Sequence, residues 1–309
     1  MAWSADDIPD QWDRVAVVTG ANGGLGLEVS RELARNGAHV VMASRDQGKA
    51  DHAKADILAE IPDASLEIQS LDLASLASVR EAAAKILAAH PTVDILVNNA
   101  GVMAIPELRT EDGFEMQFGV NHLGHFALTA LVLPALLSSP EARVVSVTST
   151  GRHSGRAVDP DNPNMDGRYD PWRAYGRSKL ANVHFAPELE RRFRAAHVTA
   201  KSIVTHPGFA NTDLQARSVR ETGGGRSQRF FHNAVVRYGM TPARGALSLL
   251  RAGTDPNAVG GALYAPRWVN WGPPVRRPLF GRSRSRKAMT TLWDVSERET
   301  GITFEVMTR

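Results

Sequence analysis

Tyr175 and Lys179 stand four residues apart in Tyr175-Gly-Arg-Ser-Lys179. Side chains at that spacing share one face of a helix. The continuation through Leu180-Ala-Asn-Val-His-Phe185 has helix-forming residues and apolar spacing, so a helix is predicted. An ammonium beside a phenol favours the phenolate and lowers the tyrosine pKa. Such a phenol can trade a proton with an alcohol or a carbonyl near neutral pH. The bland reading of the same pair is a solvated surface contact. What the remaining elements place beside it decides between the two.

Those elements alternate. Arg14 to Thr19 reads as a buried strand of β-branched residues. Gly20-Ala-Asn-Gly-Gly-Leu-Gly26 follows at once, then a helix from Leu27 that stops at Asn36-Gly37, then a strand from Ala38 to Ala43. Further helices are predicted from Asp46 to Ile61, Ser75 to His90 and Glu111 to Leu137. Further strands are predicted at Ser65–Leu71, Val93–Val97, Arg143–Thr148 and Val198–Thr205. Strands that alternate with helices imply a doubly wound α/β fold with a parallel sheet. No linker or repeat divides the chain, so one domain spans residues 1–309, with its core at about 14–264.

The glycine turn sits where a dinucleotide fingerprint needs it, between a strand and a helix. Glycines let the backbone approach a pyrophosphate, and the helix N-terminus supplies amides and partial positive charge. Gly20, Asn22, Gly23, Gly24, Leu25 and Gly26 are the candidate contacts. After the second strand, an Asp or Glu usually holds the ribose hydroxyls of NAD. Ser44-Arg45 stands there instead. An arginine suits a 2′-phosphate, which favours NADP (NADPH). The opposing reading of Arg45 is a loop residue paired with Asp46.

Composition narrows the classes. The 309 residues are 43% hydrophobic, enough for a large core. With no cysteine there is no disulfide framework and no thiolate ligand or nucleophile. A net charge of +3 lacks a nucleic-acid-sized excess. Met1 to Pro9 has neither the basic flank nor the apolar run of a signal peptide. No stretch approaches a spanning helix, so a cytoplasmic protein is expected.

Taken together, the motifs resemble the short-chain dehydrogenase/reductase family. They are Thr19-Gly20-x-x-x-Gly24-x-Gly26, Asn98-Asn-Ala-Gly101, Asn121, Ser149, Tyr175-x-x-x-Lys179 and Pro207-Gly208, in that order. Gly23 also fits the glycine pattern of the family's extended, sugar-nucleotide branch. Asn98-Asn-Ala-Gly101 and the missing acid after the second strand favour the shorter branch. Val18-Thr-Gly-Ala-Asn22, Val120-Asn-His-Leu-Gly-His-Phe126 and Leu292-Trp-Asp-Val-Ser-Glu297 resemble the retinol-dehydrogenase-like, NADPH-using members. From this sequence, the N-terminal anchor that animal members often carry is not expected.

The resemblance implies a Rossmann fold and an oxidoreductase acting on a lipophilic carbonyl or alcohol. Tyr175 would be the proton donor or acceptor, and Lys179 would lower its pKa and hold the nicotinamide ribose. Ser149 would bind the substrate oxygen, and Asn121 would hold a water in a proton relay. Asp72 and Leu73 resemble adenine contacts. Asn99, Ala100 and Gly101 resemble the wall behind the adenosine ribose. Pro207, Gly208 and Thr212 resemble the nicotinamide clamp. Dimers or tetramers are common in the family, although the long tail could block an interface. A rival reading on the same fold is a cofactor-binding regulatory protein with little turnover.

Three stretches fall outside this scheme. Gly151 to Arg173 is polar and rich in Pro and Gly, and reads as a loop beside the site. Leu214 to Gly239 joins Gly223-Gly-Gly225 to Phe230-Phe231 and reads as a substrate lid. Arg267 to Lys287, within the extension 267–309, interleaves arginines with Trp268, Trp271 and Phe280. One reading is a solvated tail with its aromatics packed on the sheet edge. The sharper one is a peripheral contact with an anionic membrane. His122, His125, His153 and His206 lack ligand spacing and are read as packing or loop residues, so no metal is expected.

Overall fold

A computed structural model describes residues 2–210, 237 and 239–305. Thr212 and all but the last residues of the lid stretch lie outside them. The sheet has eight strands in the order β3-β2-β1-β4-β5-β6-β7-β8. They are β1 (Val15–Thr19), β2 (His39–Ser44), β3 (Leu66–Ser70), β4 (Ile95–Asn98), β5 (Arg143–Val147), β6 (Lys201–Thr205), β7 (Leu263–Pro266) and β8 (Pro274–Arg277). The pairs from β3 across to β7 are parallel, and β8 runs antiparallel on the outside. The expected parallel sheet is therefore extended by two strands that the sequence reading missed, the last of them reversed.

Registers explain why the site lies at one edge. Thr19 pairs with Ala43, Ser44 with Ser70, Asn98 with Ser146, and Val147 with Thr205. The strands thus finish level, and the loops that leave them share one rim. Alternation sends Val17, Val41, Leu96 and Val144 to one face. Ala16, Val18, Val40, Met42, Ile95 and Val145 go to the other.

Helices cover both faces. α1 (Gly24–Arg35) and α8 (Pro242–Thr254) pack on the second face. On the first lie α3 (Leu76–Ala89), α5 (Gly124–Leu131), α7 (Pro171–Ala195) and α9 (Arg286–Thr300). The helix expected from Glu111 starts late, as α4 (Met116–Phe118), because Arg109 and Glu115 form a β-bridge first. A turn of π-helix over Gly119–Leu123 then leads into α5.

The C-terminal stretch is not a loose tail. β8 covers the sheet edge, and α9 drives Trp293, 1% exposed, into the core. Its ring meets Phe126, Phe185 and Phe304 at 5.4, 5.9 and 4.7 Å, under the guanidinium of Arg192. A buried ring of about 200 Å² contributes about 5 kcal/mol at ~25 cal/mol per Å² before entropy is counted. The expectation that the segment's aromatics pack on the sheet edge fails for Trp268 and Phe280, which are 66% and 71% exposed. Trp268 sits in the turn between β7 and β8. Among the described residues no helix is long and apolar enough to cross a membrane.

Candidate functional site

The rim holds a cleft of about 720 Å³. Every predicted site residue among those described lines it, except Gly26 and Asn121. Gly26 lies behind the glycine turn. A Cβ there would come 2.2 Å from the Gly20 carbonyl oxygen, so only glycine lets α1 approach β1 this closely. Gly20 has φ +66°, and an added Cβ would meet Ala100 at 3.1 Å. Gly23 is extended at φ 173°, a backbone conformation that does not itself require glycine.

Thr19 fastens the glycine turn to the Asn98–Gly101 turn. Its hydroxyl accepts the amide N–H groups of Asn99 (2.9 Å) and Ala100 (3.0 Å). Its own proton goes to His125, and the tautomer follows from the partners. His125 Nδ1 faces the Asn121 carbonyl (3.2 Å), which can only accept, so Nδ1 carries the proton. Burial pushes this imidazole down to about 3, so the ring is neutral and Nε2 accepts from Thr19 at 2.9 Å. His122 is likewise spent, between Asn182 (3.3 Å) and Ser296 (2.8 Å). Sequence reasoning assigned Thr19 and His125 no bracing role, although both are polar residues inside apolar runs.

Asn121, expected to hold a water in a proton relay, does not itself line the cleft. Its Oδ1 accepts the Val102 N–H at 2.8 Å, and its Nδ2 donates to the Val102 carbonyl and to Ser178 Oγ. Both ends of the side chain are engaged, tying the turn after β4 to α7. The Lys179 ammonium lies nearby: a Cβ on Gly101 would come 2.8 Å from Asn121 Oδ1 and 3.4 Å from Lys179 Nζ.

Tyr175, Ser149 and Lys179 meet at the floor of the cleft. Asp170 caps α7 and Pro171 starts it, placing Tyr175 in the first turns beside the end of β5. The phenol faces the Ser149 hydroxyl and packs against Met103 and Ala104. Lys179 Nζ donates to the Val147 carbonyl at 3.3 Å, 6.0 Å from the centre of the phenol ring. The electrostatics differ from the expectation. Burial pushes the phenol up to about 12, and Ser149, not Lys179, is the group that pulls it back. Burial also pushes Lys179 down to about 8.

At the other end, Ser44 and Arg45 line the cleft as expected. Arg45 pairs not with Asp46 but with Asp72, at 3.7 Å. Asp46 caps the helix Gln47–Glu60 and faces Lys49 at 3.5 Å. Both pairs are exposed and loose, worth about 0–1 kcal/mol, so a phosphate could compete for the two cations. Lys49, unremarked in the sequence, is a second cleft cation. Val102, Ile105, Leu108, Met116, Val120 and Phe209 give the cleft an apolar wall.

A glycine turn and a phenol–hydroxyl–ammonium set on one rim of a parallel sheet define a dinucleotide-binding α/β oxidoreductase. The short chain dehydrogenase family profile matches residues 14–223. Human retinol dehydrogenase 13 is 47% identical over 202 residues, spanning 65% of this chain and 60% of that protein. Mouse retinol dehydrogenase 14 is 37% identical over 299 residues, 94% of this chain and 86% of that protein. A crystal structure of a Mycobacterium paratuberculosis protein superimposes with a TM-score of 0.81 at 36% identity, covering 98% of this chain and 99% of that one. The chain belongs to the short-chain dehydrogenase/reductase family, in its retinol-dehydrogenase-like branch.

The Lys179 shift has a measurable consequence. Folding a lysine from 10.5 to about 8 costs about 3 kcal/mol at ~1.36 kcal/mol per unit. Below about pH 8 both folded and unfolded chains carry this proton, and the cost is full. Between about 8 and 10 the folded lysine is neutral while the unfolded one stays charged, so stability rises with pH. Lys179→Met is expected to unfold at higher urea than the parent at pH 7 and to lack its share of that rise. A less stable Lys179→Met protein at pH 7 would contradict the shift.

Proposed function

We propose that the protein is an NADP(H)-dependent oxidoreductase that reduces a lipophilic carbonyl, with Tyr175 as proton donor. The observation that carries this reading is one cleft with Tyr175, Ser149 and Lys179 at one end and the glycine turn with Arg45 and Lys49 at the other. The cofactor fits this chain on two grounds: the turn leaves no room for side chains at Gly20 and Gly26, and cations stand where NAD-binding chains carry an acid. Gly20, Asn22, Gly23, Gly24 and Leu25 would cradle its pyrophosphate, Asp72 and Leu73 its adenine, and Asn99 to Gly101 its ribose. Pro207, Gly208 and Lys179 would flank its nicotinamide half. When bound, it supplies the hydride.

The chain's own groups handle the proton. As the carbonyl carbon receives hydride, its oxygen gains charge and takes the Tyr175 proton, leaving an alcohol and a phenolate. The Ser149 hydroxyl donates to the same oxygen as charge develops. The Lys179 ammonium, about nine-tenths charged at pH 7 from its value of about 8, stabilises the phenolate until solvent returns a proton. A phenol at about 12 is still a far stronger acid than an alcohol, so it protonates a nascent alkoxide downhill. In the reverse direction the phenolate would act as the base. The apolar wall from Val102 to Phe209 suits a lipophilic substrate, and relatives named retinol dehydrogenases support that class.

Tyr175→Phe removes the transferable proton and keeps the ring, so carbonyl reduction is expected to fall by about 10²–10⁴-fold. Cofactor affinity, followed by NADPH fluorescence, should not change. Near-normal turnover in the folded variant would overturn the assignment.

Arg45 tests cofactor choice. Charge-assisted hydrogen bonds to a phosphate contribute about 1.5–3 kcal/mol each. Arg45→Ala is therefore expected to weaken NADPH about tenfold or more in a binding titration and to leave NADH nearly unchanged. Equal loss of both would make Arg45 structural only.

A further inference from the structure

At the opposite end of the sheet, three side chains from separate elements converge. His39 opens β2, Glu67 is the second residue of β3, and His90 caps the C-terminus of α3. The register makes this meeting unavoidable. Glu67 pairs with Val41, and His39 shares Val41's face of the sheet, where α3 packs. His39 Nε2 lies 3.4 Å from Glu67 Oε2, and His90 Nε2 lies 2.8 Å from the same oxygen. All three ligand atoms fall within 4.8 Å of one another.

We propose that His39, Glu67 and His90 bind one divalent cation of the zinc class. The donor set of two imidazoles and a carboxylate is that of zinc, cobalt or nickel rather than magnesium or calcium. Tetrahedral zinc with bonds of about 2.0–2.1 Å holds its ligand atoms about 3.3 Å apart. The His39–Glu67 separation already matches this, and His90 needs to back away by about half an ångström to join it. The Ser65 hydroxyl sits 2.7 Å from His39 Nδ1, leaving Nε2 as the nitrogen turned to the carboxylate. Outer partners of this kind orient metal-binding histidines. The His90 side chain is 13% exposed and that of Glu67 38%, so the set is half-buried with room for water at the remaining coordination position.

The site stands apart from the catalytic cleft, at the amino ends of β2 and β3. Its effect is on the fold: the ion links the edge strand β3 to β2 and to the end of α3. Binding only to the folded chain raises the unfolding temperature in proportion to occupancy.

The test uses full-length protein stripped by a chelator. Calorimetric titration with Zn²⁺ is expected to show one ion per chain, and Co²⁺ to give the visible bands of four-coordinate cobalt. Glu67→Gln, which keeps the shape, and the double variant His39→Gln/His90→Gln should each bind about tenfold more weakly or worse, and Ser65→Ala about 10–100-fold more weakly. His52→Ala, on an exposed histidine of the helix Gln47–Glu60, should bind like the parent. Zinc should raise the melting temperature of the parent and of His52→Ala, but not of the double variant, whose folding is checked by circular dichroism. Failure of the parent to bind zinc, or one-to-one binding that survives in Glu67→Gln and the double variant, would overturn the site.

Discussion

The active-site architecture answers to one constraint: an ammonium buried with no carboxylate beside it. Among the described residues Lys179 has no acidic partner, and its shift comes from burial alone. A charge in that position is tolerable only if the backbone groups around it are fixed. Val147 supplies its carbonyl to both Lys179 and Asn182, and the Lys179 carbonyl accepts the Thr148 hydroxyl at 2.6 Å. The Ser178 hydroxyl donates to the Tyr175 carbonyl and accepts a hydrogen bond from Asn121 Nδ2, and Asn121 is locked to Val102. An α7 face carrying Tyr175, Ser178, Lys179 and Asn182 is thus wired to the ends of β4 and β5. Each unmade bond there would leave a buried group costing about 1–3 kcal/mol. The same wiring holds Tyr175 beside Ser149.

Much of this was legible because strand ends and helix caps have local causes. The β-branched run before Gly20 and the helix after it fixed the nucleotide end, and the Tyr175–Lys179 spacing survived burial intact. Three things were hidden, each for a physical reason. β8 begins at Pro274, and a proline-bounded segment reads as loop although an edge strand tolerates it. α8 escaped notice despite a cap at Thr241 and Pro242 in its first turn. The direction of the Tyr175 shift was the opposite of the expected one, because spacing reveals adjacency but not desolvation. Only the packed structure shows that burial outweighs the attraction expected between ammonium and phenolate.

Polar residues inside the chain's apolar stretches were also under-read. Gln117 is fully buried, accepting the Ala104 N–H and donating to Tyr169 and the Pro171 carbonyl. Glu115, held above the usual carboxylate range by burial, accepts from Gln117 and Phe118 and faces Arg177 at 3.8 Å. Together they bind the loop that carries Ile105 and Leu108 to the start of α7. The loop that carries part of the cleft's apolar wall is thereby tied to the helix that carries Tyr175.

The central claim is that this cleft moves a hydride from NADPH to a lipophilic carbonyl while Tyr175 supplies the proton. The most direct measurement follows the atoms. The purified protein is incubated with NADPH carrying deuterium at nicotinamide C4, on either face, and with a panel of lipophilic aldehydes and ketones. Products are read by mass spectrometry. The account predicts an alcohol with one deuterium on the former carbonyl carbon, transferred from a single face of the cofactor, and an oxygen-bound proton drawn from solvent. NADPH bound in the cleft with no deuterium reaching any product would contradict it.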